Sequence, residues 1–330
     1  MRNASLLREP TRRESAATES NANQLCSPHI YRPEGDSPRE IGRLFNLRRR
    51  PGYYNADAKA ALLRLNKQAP HDELFVDFST SQVQMALAAG NIPLAKGNWS
   101  WQATVNQEQL AQIGPWSAVC WQSKKAFDYL EIESPLSSGW KLKRQMLLAR
   151  EDRFLLLADV LTGSETEPVE LRYSTSFPLA AGTKIGFARE TREGWLESGS
   201  RRRATIVPPA LAEWRCEFCH AELLETNGCI ALQQAALGCS LYAPLWIDLD
   251  LRRLKRPVTW RRLTVAENFA TVGRDIAAAY RVQDGREQWL IYRSLARRGN
   301  RSVMGHNTLK SFVCLRIEAG GATKKIASVD

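Results

Sequence analysis

The stretch WKLKRQMLLAREDRFLLLADVLTG, residues 140–163, decides the fold class. Its first half sets Trp140, Leu142, Met146 and Leu148 at even spacing, the period of a strand that buries one face. Arg144 interrupts that face where a hydrocarbon belongs, so its charge needs a buried partner. Residues 150–153 are polar and turn-like, and the run Phe154–Leu161 that follows is apolar except for Asp159. A hairpin closed through 150–153, whether its loop has two or four residues, pairs positions whose numbers sum to 303. Leu148 then faces Leu155, Met146 faces Leu157, and Arg144 faces Asp159 with β-carbons about 5 Å apart. That spacing suits an Arg–carboxylate contact, so the sequence predicts a structural ion pair between Arg144 and Asp159.

Outward from this hairpin the same grammar continues. From Glu73 to Ile317, short β-branched and aromatic runs such as Leu74–Phe78, Trp99–Val105, Val169–Phe177, Ser240–Ile247 and Gln288–Arg293 alternate with Gly, Pro and Asn turns. No helical period alternates with them, which excludes parallel βαβ units. The predicted class is all-β, a large antiparallel β-sandwich of stacked sheets, occupying residues 73–330. Before it, residues 1–52 mix Arg, Glu, Ser, Asn and Pro without apolar periodicity and read as a disordered tail. Residues 53–72 read as a short helix and linker: Asn55 caps, Asp57 sits in the first turn, Ala58, Leu62 and Leu65 share a face, and Pro70 stops it.

Composition sets the outer limits. The chain has 330 residues with 44% hydrophobic content and 10 Trp, enough for a substantial core and too much for a disordered or fibrous chain. No apolar run approaches the roughly 20 residues of a membrane helix. No apolar segment follows the early arginines, which places the chain in the cytoplasm by default. Seven Cys is too few for a disulfide scaffold. Charge is uneven: residues 1–60 carry 11 basic against 7 acidic groups, residues 61–250 carry 18 against 22, and residues 251–330 carry 17 against 6, a local excess of +11. The asymmetry suggests an anionic partner for that last quarter, whether nucleic acid, an acidic polysaccharide or a phosphorylated surface, and no membrane.

Two further hairpins are legible. Asn227-Gly228 predicts a tight turn pairing residues that sum to 455, with Trp214–Leu224 as one strand and Cys216 facing Cys239 in the core. Asp284-Gly285 predicts a second turn with Tyr280 opposite Trp289. The first of these bears on Cys216-Glu-Phe-Cys219-His220, a C-x-x-C-H pattern that suits c-type haem or, with Cys229 and Cys239, zinc. On a strand, residues three apart project to opposite faces, so the predicted register excludes a shared ligand, and neither metal nor cofactor is expected.

Nucleotide, serine-hydrolase and zinc-protease motifs are absent, and there are only four His: His29, His71, His220 and His306. The acid pairs Glu131/Glu133 and Asp248/Asp250 share a strand face at a spacing that chance explains. The candidate anion-binding residues form three groups: Arg252, Arg253, Lys255 and Arg256; Arg261 and Arg262; and Arg297, Arg298 and Arg301. The planar fork of arginine engages two oxygens of a carboxylate, sulfate or phosphate at once.

Three stretches, residues 121–136 (WQSKKAFDYLEIESPL), 140–163 and 288–312 (QWLIYRSLARRGNRSVMGHNTLKSF), together resemble the β-sandwich region of heparinase II/III-like proteins. In that family an R-x-x-L-L strand precedes a strand ending Asp-x-x-x-Gly, here Arg144–Leu148 and Asp159–Gly163. The resemblance implies a sandwich covering roughly residues 73–318. Lyase members of the family join it to a helical toroid and cleave uronic-acid polymers by β-elimination, with a Tyr or His base and a group that neutralises the carboxylate. The toroid's residues have no counterparts in this sequence, so none is carried over, and His306 in Gly305-His306-Asn307 is the single remnant-site candidate. The expectation is a heparinase-like sandwich that binds a uronic-acid or sulfated polysaccharide and is not by itself a complete lyase. Two alternatives stand beside it: a polysaccharide lyase or other carbohydrate enzyme with an unrecognised site, and a nucleic-acid-binding module built on the basic quarter.

Overall fold

A computed structural model describes residues 52–65, 71–318 and 320–330. The predicted tail, apart from Gly52, lies outside the described residues. Within them the architecture is all-β and antiparallel, and the one short helical element is a 3₁₀ turn at Ser137–Gly139.

The strands form a stack of sheets. A nine-stranded sheet runs from Tyr53–Asn55 through Ala60–Arg64, Glu73–Asp77, Val83–Ala89, Ile92–Val105, Val169–Pro178 and Cys229–Gly238 to Ala221–Thr226, with Glu108–Gln109 added on Ile92–Val105. An eight-stranded sheet has Ser240–Asp248, Phe154–Thr162, Lys141–Ala149 and Phe127–Pro135 at its middle. A five-stranded sheet is drawn from residues 258–329, and a small four-stranded sheet carries Val265–Glu267 and His306–Thr308.

Alternation explains the order of layers. Leu142, Met146, Leu148, Leu155 and Leu157 of the eight-stranded sheet pack with Leu74, Trp99 and Leu171 of the nine-stranded one. The intervening positions Leu147, Ala149, Phe154 and Leu156 pack with Val282, Trp289, Ile291 and Phe312 of the five-stranded sheet. The eight-stranded sheet is therefore central and buried on both faces, which is why its strands read as continuous apolar runs. The far side of the five-stranded sheet meets the small sheet through Val265, Val303, Leu290 and Tyr292.

The register through Leu148↔Leu155 and Arg144↔Asp159 sums to 303. The Asn227-Gly228 turn is also present, both residues having positive φ, and pairs Ala221–Thr226 with Cys229–Gln234 on the sum 455. Three expectations need correction. The helix from Asn55 is replaced by the hairpin Tyr53–Asn55/Ala60–Arg64. Asn55 does cap, its Oδ1 accepting from the N–H groups of Asp57 and Ala58 at 3.0 Å, but Lys59 turns to positive φ and Ala60–Arg64 pairs with Glu73–Asp77. A cap satisfies one turn, and burial of both faces of Ala60–Arg64 outweighs helical propensity.

Trp214–His220 is a loop, not a strand, so Cys216 does not face Cys239, and Cys216 is exposed. The cause is Arg192, whose guanidinium collects the carbonyls of Ala212, Trp214, Arg215 and Glu217 and so removes them from any ladder. Leu223 and Leu232 of the following hairpin are buried, and Leu237 is exposed. Finally, the second tight turn occupies Gly285-Arg286, one residue later than expected, so Tyr280 faces Ile291 and Trp289 faces Val282. Asp284 is withdrawn into the strand and buried near Arg256.

Candidate functional site: a basic aromatic cleft

A cleft of about 830 Å³ is walled by the loop around Trp214–His220, the start of Ser240–Asp248, and Val258–Leu263 of the five-stranded sheet. Arg261 and Arg262 come from that last strand, and Arg274 from the segment before Ala277–Asp284. All three are exposed, and among the described residues none is held by a carboxylate. Trp214 is 44% and Phe218 84% exposed on the opposite wall, and the Phe218 ring stands edge-on to His220 with centroids 4.6 Å apart. Arg192, by holding the loop's carbonyls, fixes these two aromatic side chains at the rim.

The floor is rigid. Trp260 is buried, donating its indole N–H to Leu211 O at 2.8 Å, while its backbone N–H is accepted by Glu213 Oε2 at 3.0 Å. Tyr242 donates to Gln145 Oε1 at 3.1 Å, and burial pushes the hydroxyls of Tyr242 and Tyr280 far above the ordinary tyrosine range. Neither phenol is poised to take a proton at neutral pH. Among the described residues no group of three or more His, Cys, Asp or Glu is arranged to hold a metal ion.

The remaining basic residues are placed differently. Arg253 is buried, with Nε 2.7 Å from Asp248 Oδ2 and further contacts to Asp250 and Glu287. Arg301 is buried against Glu267 at 3.0 Å. Both are committed to carboxylates of the chain itself. Arg252 is exposed but forks onto Asp250, whose carboxyl that hydrogen bond draws down to about 2. Arg256 reaches Asp284 and Glu287 at 3.7 and 3.6 Å. Lys255, Arg297 and Arg298 are exposed and do not line the cleft. His306 sits half-buried in the small sheet opposite Val303, also away from it.

The cleft thus unites Arg261 and Arg262 with Arg274, Trp214 and Phe218, which the sequence did not single out. Arg274 stands alone between Gly273 and Asp275, and the two aromatics were assigned to a core strand. No local pattern marks them, because the cleft is assembled by stacking of sheets.

With this architecture compared against solved structures, heparan sulfate lyase HepC from Pedobacter heparinus and a mutant of it each match with a TM-score of 0.53. The fold is heparinase-like. Sequence identity to either is 10%, over 78% of this chain and 47% of theirs, so the heparinase-like sandwich spans about half the length of those lyases. No family model matches the sequence, and no curated protein matches it. No helix among the described residues is long and apolar enough to cross a membrane.

Proposed function

We propose that the protein binds an anionic polysaccharide, of uronic-acid or sulfated type, in the cleft of Arg261, Arg262 and Arg274. The observation that carries this reading is the pairing, in one groove, of two exposed aromatic rings with three exposed arginines that have no carboxylate partner among the described residues. Guanidinium forks suit sulfate and carboxylate oxygens, and flat apolar rings suit the C–H faces of sugars. The fold shared with a heparan sulfate lyase supports a polysaccharide over another polyanion. Burial keeps the floor tyrosines Tyr242 and Tyr280 protonated, so neither is a ready base for β-elimination.

The test is titration of the full chain with heparan sulfate, polygalacturonate, dextran and single-stranded DNA at two salt concentrations, beside the triple variant R261A/R262A/R274A. Binding of an acidic polysaccharide that weakens steeply with salt, and loses affinity and salt slope together in the variant, is expected. Preference for DNA, or an unchanged variant, overturns the reading. Growth of ultraviolet absorbance from an unsaturated product would move it to a lyase.

A further inference from the structure

Along Ile92–Val105 the ladder of the nine-stranded sheet has a gap. On one side the strand pairs with Val83–Ala89 only as far as Trp99, and its next partner, Glu108–Gln109, begins at Thr104. The gap opens a cavity of about 450 Å³ that reaches through the sheet to Arg144 of the central one. Arg144 is fully buried. Its Nε meets Asp159 Oδ1 at 3.1 Å, Nη1 donates to Trp99 O, and its plane lies 4.4 Å from the Trp99 ring centroid and 5.2 Å from that of Trp116. Asp159 Oδ2 in turn accepts from Tyr173 Oη at 2.7 Å. Among the described residues, two buried polar atoms of the cavity lining have no partner: Arg144 Nη2, a donor, and Asn98 Oδ1, an acceptor.

We propose that this gap is a second saccharide site, separate from the basic cleft, that takes one neutral sugar unit. Neutrality follows from charge. Among the described residues Arg144 is the only charged one in the lining, and Asp159 already compensates it, so a ligand carboxylate or sulfate would add an uncompensated charge close to Asp159. The unmet donor and the unmet acceptor can each be answered by an uncharged sugar hydroxyl or acetamido group, which both accepts and donates. Gln82, Gln102, Gln109 and Gln112, around the mouth, offer both hydrogen-bond directions without charge. Trp101, half-buried and packed partly against the core, also lines the cavity, and an indole suits the C–H face of a pyranose. The volume exceeds that of a single water and suits a monosaccharide within a longer chain.

The test is calorimetric titration of the full chain with cellotetraose and with chitotetraose, intrinsic tryptophan fluorescence being followed in parallel. Binding of at least one tetrasaccharide, insensitive to salt, is expected. Trp101→Ala and Asn98→Ala should each weaken it about tenfold or more, with thermal melts showing that both variants are folded, and Trp101→Phe should retain most of it. The triple cleft variant should bind the same tetrasaccharide unchanged, so loss of acidic-polymer binding there and loss of neutral binding at the gap are read separately. Absence of heat and fluorescence change with both tetrasaccharides at millimolar concentration overturns the proposal, as does unaltered binding by both the Trp101→Ala and the Asn98→Ala variants.

Discussion

Arg293 of the five-stranded sheet grips Glu131 of the central sheet through two parallel contacts of 2.8 Å, Nη1 to Oε2 and Nη2 to Oε1, with both side chains buried. Tyr129 Oη donates to the same carboxylate. Burial alone would raise the Glu131 carboxyl, yet Arg293 and these hydrogen bonds hold it below the ordinary range. Arg293→Leu should therefore cost about 3 to 5 kcal/mol at pH 7 by stranding the carboxylate. The lost partner lets that carboxyl rise, so it takes up a proton as pH falls toward its unfolded value, and the deficit against the parent should narrow on acidification. Urea unfolding at pH 7 and pH 4.5 checks both; a deficit that widens on acidification counts against the assignment.

The Arg144–Asp159 pair, on the other face of the central sheet, should respond in the same way to loss of one member. Asp159→Ala leaves the guanidinium without its counter-charge and Tyr173 without its acceptor, an expected loss of about 3 to 5 kcal/mol. The double change Arg144→Met with Asp159→Leu removes both charges and should recover most of that loss, as chemical denaturation would show.

Arg192 is expected to act on the cleft without touching a ligand. Arg192→Ala frees four carbonyls that now converge on one guanidinium. Hydrogen exchange of residues 212–220 should accelerate by about tenfold or more, while the core strands keep their protection. Affinity for acidic polysaccharide should fall with it, because Trp214 and Phe218 lose their fixed positions. Unchanged exchange in this segment would remove Arg192 as the positioning residue.

Asp284 supplies a pH signature of the opposite sign. Burial, then the nearby Asp248 carboxylate, pushes its carboxyl up to about 6. A raised folded pKa means stability that is complete below the unfolded value and is lost as pH rises through about 6. Asp284→Asn removes that loss, so the variant should be more stable than the parent at pH 7.5 by about 1 to 2 kcal/mol and equal to it near pH 4. Thermal melts across that interval decide the matter.

The legible parts of the molecule were those governed by near neighbours. Alternation through Leu142, Met146 and Leu148, and the polar break at 150–153, fix a register that needs no distant information. Asn227-Gly228 likewise fixes Ala221–Thr226. Reading failed where a remote group decides the outcome. Nothing within Trp214–His220 announces that Arg192 will claim its carbonyls, and nothing around Asn55 announces the partner strand Glu73–Asp77. The same division holds for the cleft. Arg261 and Arg262 are adjacent and visible as basic residues, whereas Arg274 and the two rim aromatics become neighbours of theirs only when three segments far apart in sequence are stacked.

The order of layers also sets a timetable for synthesis. The nine- and eight-stranded sheets are woven from residues 53–248, but every strand of the two further sheets comes from residues 258–329. A nascent chain released as far as residue 250 holds a finished first interface and an uncovered second one, with Phe154, Leu156 and Trp246 facing water. About 80 further residues must leave the ribosome before that face is sealed, several seconds at ordinary elongation rates. Through that interval the half-made protein is a substrate for holdase chaperones and prone to self-association, and a ribosome pause placed after Asp250 should aggravate both.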